Sequence, residues 1–101
     1  MKIIGCMRIG APPFYPAYWS PIEMEIVDVA PHLASVATFA VCKHGSYRVT
    51  HLETGLALVA SDSPTKRESI ELCARFLKSI TIAFVEKRIE HHLKIDRGIA
   101  Q

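Results

Sequence analysis

The side chains able to hold a metal or attack a carbonyl are three cysteines (Cys6, Cys42, Cys73) and five histidines. Cys42-Lys43-His44 sets a thiol and an imidazole two positions apart, and His51 follows across a predicted turn. Cys42, His44 and His51 could therefore offer three metal ligands near one hairpin end. Structural zinc sites usually show two close-spaced ligand pairs, and this chain has one pair and a lone histidine. Adjacent helical residues point about 100° apart, so His91 and His92 are poorly set to chelate one ion. There is no Gly-x-Ser-x-Gly elbow and no local Cys/His signature, so no catalytic residue is assigned and no enzyme is expected. No Gly-x-Gly-x-x-Gly or phosphate loop is present, and no cofactor is expected.

A second group of residues suits recognition rather than reaction. Phe14-Tyr15-Pro16-Ala17-Tyr18-Trp19 holds four of the eight aromatics, with the lone Trp, in a stretch rich in proline. Proline fixes φ and removes a donor, so residues 11–21 read as a loop or extended connector. Rigid amphipathic rings give much contact area for little lost entropy, which is why Tyr and Trp are enriched at interfaces. Tyr15, Tyr18 and Trp19 are candidate protein contacts, with Arg88 and His92 on the exposed face of a C-terminal helix. The competing reading folds the loop over the core as a lid.

The basic residues Lys66, Arg67, Arg75, Lys87, Arg88 and Lys94 form the alternative, a nucleic-acid contact. Glu68, Glu71, Glu86 and Glu90 interleave with them, and mixed signs at these spacings usually make a solvated, salt-bridged face. A phosphate-tracking stripe would show one sign. The net charge of +2 also argues against a polycation and against an acidic DNA mimic.

These residues need elements to place them. A chain of 101 residues, half hydrophobic and 22% charged, is expected to fold as one domain around one core. No run of about 18 apolar residues exists, so no membrane span is expected. The first residues lack a continuous apolar core of about 7–15 residues, so neither a signal peptide nor export is expected. Three widely spaced cysteines fit reduced thiols in the cytoplasm.

Residues 1–63 hold most of the Pro and Gly and read as β-rich, whereas 64–95 read as helix. Strands are expected over Lys2–Ile9, Ile22–Ile26, Ser35–Lys43, Ser46–Leu52 and Leu56–Ala60, the last three as an antiparallel meander. Ser63-Pro64 and Thr65-x-x-Glu68 both signal a helix start, two residues apart. The expected fold is α+β: an antiparallel sheet of four to five strands with a long C-terminal helix packed on one face. A break near Ser79–Thr81, giving two consecutive helices, is the alternative. An unbroken helix of some thirty residues would be about 45 Å long, too long for this domain to cover. That length suggests a homodimer through Ile82, Val85, Ile89 and Leu93.

The stretch Tyr47-Arg-Val-Thr-His-Leu-Glu-Thr-Gly-Leu-Ala-Leu-Val-Ala-Ser-Asp-Ser-Pro-Thr-Lys-Arg-Glu-Ser-Ile reads as strand, turn, strand and capped helix. It resembles units in small phage and mobile-element proteins of the anti-CRISPR inhibitor kind. The resemblance implies a non-enzymatic inhibitor that binds a larger protein or ribonucleoprotein complex stoichiometrically. It carries over no functional residue. A nucleic-acid-binding or regulatory module and a Cys/His metal-binding protein are the rival readings.

Overall fold

The computed structural model describes the backbone of residues 1–9 and 18–100 and the side chains of residues 1–5 and 20–91. Its elements run β1 (Lys2–Ile9), β2 (Tyr18–Val27), a 3-10 turn at Pro31–Leu33, β3 (Phe39–His44), β4 (Ser46–His51), β5 (Leu56–Ala57), a second 3-10 turn at Val59–Ser61, α1 (Lys66–Leu77) and α2 (Ile82–Ala100). The five strands form one antiparallel sheet whose order follows the chain, β1-β2-β3-β4-β5, so the fold is α+β.

The central hairpin carries the core because its side chains alternate. Phe39, Val41 and Val49 face the helices and join Leu33, Cys73, Leu77 and Val85 in one buried cluster. Ala40 and Cys42 face the other way and join Met24 in a second cluster, with Ile3, Ile22, Ile26, Leu52 and Ala57 packed around it. No helix covers that second face. The sheet curls instead, until β1 at one end of the strand order touches β5 at the other. Small side chains permit the curl. A Cβ placed on Gly5 would lie 2.8 Å from Met24 Sδ and 3.4 Å from Leu52 Cδ2.

Three boundaries differ from the sequence expectation by several residues, each for a local reason. β2 begins at Tyr18 rather than Ile22 and takes in Pro21, which stands opposite Cys6. A proline is tolerated there because β2 pairs with β3 only from Glu25 to Val27, leaving its other edge open at Pro21. β3 begins at Phe39 rather than Ser35, because Pro31 starts a 3-10 turn and the Ala37 N–H returns to the Leu33 carbonyl. β5 ends at Ala57, and the chain then bulges through Val59–Ser61 before rejoining β4 as a Ser63–Tyr47 bridge. The bulge would strand the Val49 N–H of β4. The Ser61 hydroxyl accepts it at 2.8 Å and itself donates to the Leu58 carbonyl.

The long helix is two helices. Thr65 is the α1 cap: its Oγ1 accepts from the Glu68 N–H at 3.3 Å, while Ser63 Oγ accepts from the Thr65 N–H. α1 stops at Leu77, and the Ile80 N–H turns back to the Leu77 carbonyl. Thr81 Oγ1 then accepts from the Phe84 N–H and starts α2. His32 Nε2 lies 3.0 Å from the Ile80 carbonyl and ties this corner to the Pro31–Leu33 turn. The break removes the length argument for a second chain. Val85 and Ile89 of the proposed dimer stripe pack on the chain's own core, Val85 being 7% exposed. Ile82 is exposed, and the Leu93 side chain lies outside the described residues. No helix among the described residues is long and apolar enough to cross a membrane.

Two substitutions test this account by urea denaturation. Ser61→Ala should cost about 1–3 kcal/mol, because it orphans a buried N–H. Gly5→Val should cost about 1–3 kcal/mol by overpacking against Met24. An unchanged midpoint in either variant would refute its part of the account.

Candidate functional site

The register of β3 and β4 decides the metal question. His44 stands opposite Ser46 beside the Gly45 turn, while His51 stands opposite Phe39 at the far end of the same hairpin. Cys42 is buried on the inner face, where its Sγ lies 3.6 Å from Thr50 Oγ1. His51 lies on the other face, its ring centroid 5.5 Å from that of Phe39. Cys42, His44 and His51 are therefore not brought together. Strand spacing separates the two histidines, and the pleat separates Cys42 from His51. Among the described residues no group of three His, Cys, Asp or Glu could hold a metal ion. Burial pushes the Cys73 thiol up to about 12, so that sulfur is a core atom rather than a nucleophile.

Two of the six candidate basic residues, Lys66 and Arg67, pair with acids. Lys66 pairs with Glu25 across to β2 and holds that carboxyl below its usual range. Arg67 Nε lies 3.3 Å from Glu71 one turn on. Arg75 and Lys87 are exposed on α1 and α2. Lys94 and His92 lie outside the described side chains, although α2 includes both positions.

Two surfaces remain among the described residues. One is the β1–β2 hairpin, which curls over the second face of the sheet toward β5. β2 leaves β3 after Glu25 but stays paired with β1 down to the Ile9–Tyr18 pair. Tyr18 and Trp19 lie in the last two pairs of this hairpin, opposite Ile9 and Arg8. Their side chains, and all of Tyr15, lie outside the described residues.

The second surface, beside the His51 end of the β3–β4 hairpin, is a groove of about 570 Å³. Its walls are Leu56 and Leu58 from the edge of the sheet, and Phe76, Ile80 and Phe84 from the α1–α2 corner. Phe76 and Phe84 are each 46% exposed and Val59 is 75% exposed. Arg88 stands on the rim, its guanidinium 5.4 Å from the Phe84 ring centroid.

The sequence reading assigned Arg88 a contact role but missed the groove. The one available signal was Phe76, which falls one position outside the spacing of Ile70, Cys73 and Leu77.

His51 and Thr54 form the polar part of the groove wall. His51 Nδ1 lies 2.8 Å from Thr54 Oγ1, and its Nε2 lies 3.2 Å from Glu53 Oε1 outside hydrogen-bonding geometry. That carboxylate oxygen accepts the Thr38 N–H at 2.7 Å. A carboxylate beside Nε2 favours the tautomer with the proton there, so the Thr54 hydroxyl donates to Nδ1. The same hydroxyl accepts the Leu56 N–H at 3.4 Å. The hydroxyl, imidazole and carboxylate thus close the β4–β5 turn. Thr54 is buried, and its hydroxyl is spent on that turn.

Burial lowers the His51 pKa from its ordinary value, against a smaller opposing pull from Glu53. A histidine depressed in the native state binds fewer protons there than in the unfolded chain. Its contribution to stability is full above pH about 6.5 and is lost as pH falls from there toward the depressed native value. His51→Gln should flatten this part of a Tm-against-pH profile. An unaltered slope would show that another group carries it. Comparison with protein-family models, curated proteins and solved structures finds no match to this chain.

Proposed function

We propose that this chain is a non-enzymatic binding protein that acts by stoichiometric contact with a larger protein. The observation that carries the reading is the β1–β2 hairpin, which remains paired for several residues after β2 has left β3. A hairpin whose second strand has parted from its neighbour has an open backbone edge to offer a partner. This ribbon ends on Tyr18, and the chain that closes it carries Phe14 and Tyr15. Tyr and Trp in such a place are the residue types that most often dominate binding energy. The resemblance to anti-CRISPR inhibitors suggests a bacterial CRISPR–Cas complex as the partner class. The pairing of Lys66 and Arg67 with acids supports protein over nucleic acid.

Immobilised chain should capture a defined partner from a bacterial lysate, with its subunits identified by mass spectrometry. Tyr18→Ala and Trp19→Ala should each weaken that capture by about fivefold or more while leaving Tm within a few degrees. Capture that survives both substitutions, or variants that lose stability instead, would place these rings in the core and sink the proposal.

A further inference from the structure

We propose that the groove at the α1–α2 corner binds a free medium-chain fatty acid. The aliphatic chain would lie among Leu56, Leu58, Ile80 and Phe84, with the carboxylate at Arg88. This goes beyond the protein-binding reading and stands independently of it, since no residue of β1 or β2 lines the groove among the described residues.

Size is the first argument. About 570 Å³ is within the roughly 300–1,000 Å³ of small-molecule sites. The character of the wall is the second. Apolar side chains from β5, the Val59–Ser61 turn, α1 and α2 converge there, and the two Phe rings stay half exposed although the core beneath them is closed. A chain of 101 residues gains stability by burying such rings, so leaving them open keeps a slot for an apolar occupant.

Charge selects the occupant. The wall contains three polar residues. His51 Nδ1 bonds to Thr54 within the turn, and its Nε2 lies 3.2 Å from the Glu53 carboxylate, so neither brings a net positive charge to the groove. Arg88 is the one cation in the wall, and among the described residues it pairs with no acid, only with the Phe84 ring. A guanidinium presents a planar fork suited to a carboxylate. One cation on the rim of an apolar slot complements one anionic head on an apolar tail. It repels a cationic amphiphile and is too little charge for a polyanion.

Isothermal titration calorimetry on the full chain tests this with decanoate, decan-1-ol and decyltrimethylammonium, each below its micelle threshold. Decanoate should bind at one site per chain and roughly tenfold or more tighter than decyltrimethylammonium. Arg88 is exposed, so Arg88→Gln should fold normally; it should weaken decanoate about fivefold or more and leave decanol unchanged. Amide shifts in ¹⁵N spectra should map decanoate to Leu56, Ile80 and Phe84. Equal affinity for all three probes, or decanoate binding untouched by Arg88→Gln, overturns the assignment of the head group. No binding, or shifts confined to the ribbon, overturns the site. Light scattering that shows a dimer abolished by Phe84→Gln assigns the groove to a second copy and overturns the proposal equally. None of these results bears on capture through Tyr18 and Trp19, so the two readings fail separately.

Discussion

The fold depends on one sheet burying both of its faces. A chain of this length has two helices to spend, and both lie on the same side, against Phe39, Val41 and Val49. The other side must be closed by the sheet itself. That requires curl, and curl requires small inward side chains where strands converge. Ala40, Cys42 and Gly5 meet this need, and Met24 is the long side chain fully buried among them in the described residues. An unbranched thioether adapts to such an irregular space.

Curl has an effect at the edge of the sheet. β5 stays in register with β4 for two residues and then swings out through the Val59–Ser61 turn. The backbone must still be satisfied there, and a serine hydroxyl stands in for the missing strand. The Leu58 N–H still donates to the Val49 carbonyl of β4, the swing leaves Val59 exposed, and the α1–α2 corner holds Phe76 and Phe84 on the groove's other wall. The groove is the space between two departures from regular structure, one in the last strand and one between the helices. His32, from the turn before β3, pins the second of these through the Ile80 carbonyl.

Much of the fold was readable in the residues. The apolar run Phe39–Cys42 and the alternation of Tyr47–Thr50 mark a central hairpin, and Thr65 with Glu68 marks a helix start that the structure places at Thr65. The helix break was written in Ser79 and Thr81, whose hydroxyls and branching suit a cap better than a helix interior. What stayed hidden depends on pairing. Pro21 looks like a strand breaker until β2 is seen to lack a partner on that edge. His44 and His51 look adjacent across a turn, yet the turn that joins their strands is at Gly45, so they stand at opposite ends. The groove was the least legible feature, because its walls come from β3, β4, β5, a 3-10 turn and two helices. No local spacing encodes a space between elements so far apart in sequence.

The brevity of β5 has a consequence for how the molecule lives among copies of itself. A sheet edge is a row of unpaired amides and carbonyls onto which another chain can add, and long flat edges seed such growth. Here the terminal strand offers two residues before it twists into a 3-10 turn, with Pro64 a few residues beyond. The opposite edge is drawn round toward it by the curl. A chain that is half hydrophobic and built on a sheet thus presents, on the β5 side, almost no template for templated aggregation.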